Sequence, residues 1–233
     1  MAQRGEKEMI YITGDTHCPI DINKLSTKRF PEQRNMTKDD FLIITGDYGG
    51  VWDNSNEEKN WMNWLNGKNF TTLFVDGNHE NFDMLNSYPV EYYHGGKVHK
   101  IANSIYHMMR GQIFEFDGST FFTMGGASSY DKKYRVEGKS WWSAELPTDD
   151  EYQEAEKNLD KVNRKVDYVI THCVADSIQK NIADWYVHDK LTNFLESVKS
   201  TVDYKKWFFG HYHIDKDMNQ KHILLYDRLI KLI

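Results

Sequence analysis

The sequence has little cysteine, little proline and no long apolar segment. Two cysteines, Cys18 and Cys173, among 233 residues exclude a disulfide-rich scaffold and allow at most one bridge. Four prolines and 15 glycines, with 27% charged residues, argue against a low-complexity or disordered chain. No apolar run approaches the roughly 20 residues of a transmembrane helix, and the first residues lack the pattern of a signal peptide. We therefore expect a cytoplasmic globular protein that forms a single domain over residues 1–233.

The sequence also lacks an excess of positive charge. It contains 29 Lys and Arg against 35 Asp and Glu, which gives a formal net charge of −6 and a pI near 5.9. Because binding along a nucleic-acid backbone requires a basic surface, we expect no extended nucleic-acid surface and no membrane partner. An anionic substrate would need a local source of positive charge. These patterns leave the oligomeric state open.

Five short apolar runs, rich in β-branched and aromatic residues, predict buried strands. They begin, in chain order, at Met9 (MIYIT), Phe41 (FLIIT), Thr72 (TLFV), Tyr168 (YVIT) and Lys206 (KWFF). Capping patterns predict helices between them, starting after Ser55, Thr148 and Asp189. Short runs between residues 97 and 126, with a turn at Asp117-Gly118, predict antiparallel strands. The alternation predicts an α/β fold with mixed sheets.

Each of the five predicted strands ends in residue types that bind metals. The clusters are, in chain order, Gly14-Asp15-Thr16-His17, Gly46-Asp47, Gly77-Asn78-His79-Glu80, Thr171-His172 and Gly210-His211-Tyr212-His213. Sites in open α/β sheets form at the carboxyl ends of the strands, so these side chains are expected to meet. The glycines ahead of the clusters are expected to form tight turns that lift the next side chain out of the sheet.

This series resembles the calcineurin-like metallophosphoesterase superfamily, whose pattern runs D-x-H, G-D, G-N-H-D/E, H and G-H-x-H. All five blocks occur in that order, and the resemblance extends from Asp15 to His213. It implies a fold of mixed β-sheets packed as a sandwich and flanked by α-helices, as in the uncharacterised bacterial and phage phosphoesterases of the superfamily. It also implies two divalent metal ions as cofactors. The mixed nitrogen and oxygen ligands favour Mn, with Fe, Zn or Mg as alternatives.

The candidate metal ligands fall into two groups that share one residue. By resemblance, one ion would be held by Asp15, His17 and His213, and the other by Asn78, His172 and His211. Asp47 would bridge the two ions, because a pair of ions roughly 3.5 to 4 Å apart needs a ligand common to both. Cys18 and Cys173 each follow a candidate ligand, but they are expected to be ordinary packed thiols.

His79 has a different implied role. By resemblance it is the catalytic general acid that protonates the leaving oxygen, while a metal-bound hydroxide attacks phosphorus. A neighbouring carboxylate would orient its ring. The sequence leaves open whether Glu80, Asp76 or another acid does so.

The segment from residue 125 to residue 145 bears on the substrate. Lys132 and Arg135 are candidates for binding a substrate phosphate, and a solvated charged surface is an equally open interpretation. Tyr130, Trp141 or Trp142 could stack on a base, although packing is favoured for the two tryptophans.

The sequence departs from the protein phosphatase branch of the superfamily. Residues 46–52, GDYGGVW, lack the arginine of its G-D-x-x-D-R-G signature, so protein phosphatase activity is not expected. We therefore expect hydrolysis of a phosphorylated small molecule or nucleotide, as a small phosphodiester or a phosphomonoester. The alternatives are a nuclease and a non-catalytic protein-binding scaffold with the same fold. The presence of every motif ligand and of His79 disfavours the scaffold.

Overall fold

The computed structural model describes residues 8–183, 185–186 and 188–233 of the chain. The strands in this part are β1 (Ile10–Thr13), β2 (Phe41–Ile44), β3 (Thr71–Phe74), β4 (Val90–Tyr93), β5 (Gly96–Ala102), β6 (Ile105–Met108), β7 (Gln112–Phe116), β8 (Ser119–Met124), β9 (Tyr168–Thr171), β10 (Lys206–Phe209), β11 (Lys216–Asp217), β12 (His222–Leu224) and β13 (Leu229–Lys231). The α-helices there are α1 (Asn56–Asn66), α2 (Phe82–Leu85), α3 (Asp149–Lys161), α4 (Asp176–Gln179) and α5 (Lys190–Thr201). Each of the five apolar runs forms a strand.

The strands form two mixed sheets. Within the described residues, the strand order of the first sheet is β13-β1-β2-β3-β6-β5-β4, and that of the second is β11-β12-β10-β9-β8-β7. β1, β2 and β3 are parallel, with Ile10 opposite Phe41 and Phe41 opposite Thr71. β9 and β10 are parallel in the second sheet, where Lys206 lies opposite Tyr168. The predicted α/β architecture with mixed sheets is confirmed.

The two sheets share a buried core, and helices cover their outer faces. Ile10 of β1 and Phe208 of β10 lie in one apolar cluster between the sheets. On the outer faces, Leu42 of β2 packs with Leu65 of α1, and Val169 of β9 packs with α5. Successive side chains of a strand point to opposite faces, so a strand buried on both faces reads as a continuous apolar run.

The expectation of antiparallel strands between residues 97 and 126 was only partly right. β5 and β6 pair antiparallel, as do β7 and β8, with the turn at Asp117 (φ 45°) and Gly118 (φ 72°). However, β6 also pairs parallel with β3, and β8 pairs parallel with β9. Each strand of a hairpin has a second edge that can pair with another strand. The local sequence does not indicate which distant strand pairs there.

The helix starts follow the predicted capping residues. Thr148 and Glu151 form a reciprocal capping box before α3, and Asp189 caps α5 through the Thr192 amide at 2.8 Å. At α1 the box is incomplete. Ser55 accepts from the Glu58 amide, but the Glu58 carboxylate accepts instead from the backbone amides of residues 52–54.

Two further expectations concern the cysteines and the membrane. Cys18 and Cys173 are both free thiols. Among the described residues, none of the helices combines the length and the apolar character needed to span a bilayer.

Candidate metal centre

The carboxyl ends of β1, β2, β3, β9 and β10 converge at one edge of the two sheets. The first three strands belong to the first sheet and the last two to the second, so the loops that follow them meet across the sandwich. The backbone there is unusual, because His17, Asp47, His211 and His213 have left-handed φ angles of 34°, 47°, 71° and 52°. Non-glycine residues rarely adopt this conformation, and it concentrates at functional sites.

Four of the predicted ligands form a tight cluster. One ligand atom from each of Asp15, His17, Asp47 and His213 lies within 4.8 Å of the others. His17 Nε2 is 3.2 Å from Asp47 Oδ2, and His213 Nε2 is 3.3 Å from Asp15 Oδ2. Both carboxylates are fully buried, whereas His213 is half exposed. The cluster therefore has an open side.

The remaining predicted ligands lie beside Asp47. His172 Nε2 is 3.2 Å from Asp47 Oδ2, and the His172 and His211 rings are 5.0 Å apart. Asn78 lies near the Asp47 carboxylate, because the backbone amide of the next residue, His79, donates to Asp47 Oδ1 at 2.8 Å. The Asn78 side-chain nitrogen donates to the Ser129 hydroxyl. The structure thus brings the other five predicted ligands near the two buried carboxylates, Asp15 and Asp47.

The donor set fits a cation. His172 Nδ1 donates to the Thr45 carbonyl oxygen at 2.8 Å and His17 Nδ1 donates to Asp21 at 2.7 Å, so each ring turns Nε2 toward the same Asp47 oxygen. Asn78 Oδ1 is buried and has no hydrogen-bond partner. A buried acceptor without a donor is costly, and a metal ion beside it would remove that cost.

Glycines bring the loops close enough for this arrangement. A Cβ atom on Gly77 would lie 2.0 Å from Asp47 Oδ1, and one on Gly210 would lie 2.0 Å from Asp15 Oδ1. Neither residue has a positive φ. A left-handed backbone is therefore not what requires glycine at these two positions. They are glycine because a carboxylate packs directly against the backbone.

The electrostatic environment of the cluster favours positive charge. Burial by itself raises the pKa of Asp47, but His172 and His17 lie against the carboxylate and hold its pKa well below the usual value. Conversely, burial lowers the pKa of His172, but Asp47 and Asp15 outweigh burial and raise this pKa to about 9. Two adjacent carboxylates without solvent thus stabilise a cation, which is the local positive charge that an acidic protein needs to bind an anion.

His79 lies at the rim of this cluster. Its ring packs edge-on against His17 with 5.6 Å between centroids. Burial lowers the pKa of His79, and the nearby charges of Arg135 and His17 lower it further, against the opposite effect of Asp47. The two acids proposed to orient it are engaged elsewhere, as Glu80 accepts from the Tyr48 amide and Asp76 accepts from Arg110 and His107.

The two basic candidates differ in position. Lys132 lines a cavity next to His211. Arg135 is close enough to influence the pKa of His79, but its guanidinium pairs with Asp131 at 2.8 Å and donates to the Ser140 carbonyl oxygen at 3.2 Å. Arg135 is therefore held by its own loop.

The aromatic residues of this segment also separate into two roles. Trp142 is buried and its indole donates to Asp83 at 2.8 Å, so packing is confirmed for this residue. Trp141 lies under the Lys132 ammonium, 5.8 Å from it. Tyr130 is 88% exposed and lines the cavity next to His211.

Sequence reasoning missed several residues around the cluster. Lys24 is buried and its ammonium donates to the Asp15 carbonyl oxygen at 2.5 Å, and to the Tyr226 carbonyl oxygen, behind the first loop. Trp185 and Tyr186 line the cavity beside His211, and Trp52 lines a second cavity beside His79. These residues come from loops far apart in the chain and carry no motif, so only the fold identifies them.

Comparisons with known proteins identify a family for this chain. The sequence profile of the family described as "Calcineurin-like phosphoesterase" matches residues 9–215. A solved structure from Staphylococcus aureus, provisionally described as a 5′-nucleotidase in complex with alpha-ketoglutarate, is similar with 16% identity and a TM-score of 0.49. That similarity covers 95% of this chain and 48% of the other, so the chain spans about half the length of that protein. None of the curated proteins matches significantly. Because the profile covers most of the chain, this protein belongs to the calcineurin-like phosphoesterase family.

Proposed function

We propose that the protein is a hydrolase of phosphoester bonds that uses two divalent metal ions and acts on a small phosphodiester, a nucleotide or a phosphomonoester. Family membership implies divalent metal ions as cofactors. The observation that supports the proposal most directly is the cluster of ligand atoms from Asp15, His17, Asp47 and His213, which lie within 4.8 Å of one another. The whole chain would act as a single domain, since ligands from both sheets complete one site.

Two groups of side chains would hold the ions. Asp15, His17 and His213 form the first group, while Asn78, His172 and His211 form the second, and Asp47 lies between them. Imidazole, carboxylate and amide oxygen together suit borderline and hard ions, and Mn is the first choice. When bound, such ions polarise phosphoryl oxygens and lower the pKa of a water molecule.

His79 would protonate the leaving group. In hydrolysis, an oxygen from water forms a bond to phosphorus, the bond from phosphorus to the ester oxygen breaks, and that oxygen takes up a proton. His79 lies at the rim of the cluster with its ring on the wall of an open cavity, where it can give this proton. Its backbone amide is tied to Asp47, so the loop that carries the ring is fixed relative to the metal ligands.

The experiment compares hydrolysis of bis-p-nitrophenyl phosphate and p-nitrophenyl phosphate by metal-stripped protein resupplied with Mn. We expect Mn-dependent turnover in the wild type and two bound ions per chain by elemental analysis. Asp47→Asn removes the negative charge of the shared ligand, so it should lose at least one ion and about 10² or more of the rate. Asp150→Asn, an exposed acid of α3, is the matched control and should behave like the wild type.

Two results would contradict the proposal. One is turnover that Asp47→Asn retains in full. The other is a protein that binds two ions but hydrolyses neither ester and no nucleotide of a broad panel, which would favour the scaffold alternative.

A further inference from the structure

Two cavities open on either side of the candidate metal centre. The first has a volume of about 610 Å³ and is bounded by His211 and by Ser129, the residue that holds Asn78. The second has a volume of about 490 Å³ and is bounded by His17, His79 and His213. The first cavity thus adjoins one ligand group and the second adjoins the other, with Asp47 between them. Both are within the size range of small-molecule sites and exceed the needs of a phosphoryl group alone.

Two aromatic residues that line the first cavity, Tyr130 and Trp185, are not explained by packing in the core. Tyr130 is 88% exposed and Trp185 is 78% exposed, so neither contributes much burial to the core. Tyr186 packs edge-on against Tyr212, with 4.8 Å between centroids, and forms the wall near His211. Large rings with free faces beside a site provide stacking surface for a planar group. The described lining also holds one cation, Lys132, and one carboxylate, Asp189, which accepts from the Thr192 amide as the cap of α5.

The second cavity has a different character. Its described lining includes Ile20, which is 77% exposed, together with Trp52 and Tyr226. Asp21 also lies on this wall, and no Lys or Arg occurs among the described residues that line it. The apolar surface favours an uncharged organic group. His79 borders this cavity, so a group bound in the cavity would be the leaving group.

From this pair of cavities we infer that the substrate is a phosphodiester with two organic groups. An aromatic group, such as a nucleobase, lies against Tyr130 and Trp185 in the first cavity, and the leaving alcohol lies beside His79 in the second. Water oxygen bonds to phosphorus, the bond from phosphorus to the alcohol oxygen breaks, and that oxygen receives the proton. The products are a phosphomonoester in the first cavity and a free alcohol in the second. This inference rests on the proposed hydrolysis.

The kinetic test uses two diesters with the same leaving group. One is p-nitrophenyl thymidine 5′-phosphate, which carries a base, and the other is ethyl p-nitrophenyl phosphate, which does not. We expect the wild type with Mn to have a kcat/KM at least 10-fold higher for the thymidine ester, and also higher for it than for p-nitrophenyl phosphate. Tyr130→Ala and Trp185→Ala should each reduce this preference about 10-fold, the usual effect of losing one stacking partner.

Tyr134→Ala is the matched control. Tyr134 is 80% exposed in the same segment as Tyr130 but does not line the first cavity, so its loss should leave the preference unchanged. All three residues are exposed, so none of the variants is expected to unfold. For the second cavity, Ile20→Asp should lower kcat/KM for both esters more than Val136→Asp does, since Val136 is exposed elsewhere.

A binding measurement separates the inference from the proposed hydrolysis. Calorimetric titration with thymidine 5′-monophosphate should give a Kd about 10-fold weaker in Trp185→Ala than in Tyr134→Ala. If neither diester is hydrolysed with Mn but this difference in Kd persists, the proposed hydrolysis fails and the aromatic cavity stands. If the diesters are hydrolysed but the alanine variants at positions 130 and 185 change neither the preference nor the Kd, the inference is overturned.

Discussion

At the residue scale, His79 has the most specific expected effect. His79→Ala should keep both ions and lower kcat by about 10² to 10⁴, because proton donation to the leaving oxygen is lost. The loss should be larger for a phenyl ester than for a p-nitrophenyl ester, since a poorer leaving group depends more on the proton. Steady-state rates on both esters and elemental analysis of the variant test this. An unchanged rate on the phenyl ester would show that His79 is not the acid.

A second residue-scale prediction concerns the acid before the Gly77-Asn78-His79 turn. Asp76 is buried and accepts from Arg110 at 2.6 Å, which together with His107 holds its pKa below the usual value although burial opposes this. Arg110→Met would leave a buried carboxylate with a single partner, at a cost of about 3 to 5 kcal/mol in the free energy of unfolding. Urea denaturation measures this cost.

The control for Arg110 is Arg164, which pairs with Glu156 and Asp160 near the surface. Arg164→Met should cost about 1 kcal/mol or less, because partly exposed pairs contribute little. Adding Asp76→Asn to Arg110→Met should recover part of the lost stability. A double variant as unstable as the sum of the two single variants would mean that the pair does not act as a unit.

At the element scale, β12 carries a histidine that makes stability depend on pH. Asn219 Oδ1 accepts from the backbone amides of Lys221 and His222, which turns the Asn219 amide nitrogen toward His222 Nδ1 at 2.8 Å. The Tyr204 hydroxyl is hydrogen-bonded to His222 Nε2 at 2.9 Å. Protonation would place two donors face to face, so the ring is held neutral. Burial, helped by Lys199 and Lys221, lowers the pKa of His222 from 6.5 to about 4.

The sign of the effect follows from proton binding. Between about pH 6.5 and pH 4 the unfolded chain binds a proton at His222 that the folded chain does not, so the free energy of unfolding falls as pH falls through this window. The loss is on the order of 2 to 3 kcal/mol for this residue. His222→Gln should flatten the dependence but not abolish it, because burial and His107 also lower the pKa of His99 to about 4. Urea denaturation at several pH values tests this, and an unaltered slope in the variant would refute it.

At the scale of the whole molecule, the candidate centre joins the two sheets. Asp15, Asp47 and Asn78 follow strands of the first sheet, whereas His172 and His211 follow strands of the second. Metal ions bound there would hold the sheets together only in the folded state. At free Mn 100-fold above Kd, each site should add about 2.7 kcal/mol to the free energy of unfolding.

Thermal denaturation with and without Mn measures this stabilisation. Removal of the ions should lower Tm in the wild type and should lower it less in Asp47→Asn, which lacks the shared ligand. We also expect Asp47→Asn to lose less stability than the wild type when both are stripped, since it carries one buried negative charge fewer. A wild-type Tm that does not change when Mn is added would contradict metal binding between the two sheets.

The local sequence was sufficient to predict β1, β2, β3, β9 and β10, the helices α1, α3 and α5, and the residue blocks at the strand ends. It did not predict β4, β11, β12, β13, α2 or α4. Apolar runs such as FLII of β2 are continuous because both faces are buried, and the capping box at Thr148 acts within four residues. Both signals are local, so they can be recognised in the sequence without knowledge of the fold. The assignment of the seven ligands and of His79 came from the order of the blocks and stays a prediction.

Tertiary structure decided what depends on distant pairing. The sequence by itself determined an α/β chain of mixed strands whose ends carry metal-binding residues, but not that β6 would join β3 or that β8 would join β9. It also could not reveal why Gly77 and Gly210 are glycine, because the carboxylates that pack on them lie 30 and 195 residues away. The two cavities likewise exist only in the fold. Tyr130 and Trp185 line the same cavity as His211 because separate loops approach one sheet edge, and no local sequence pattern predicts that approach.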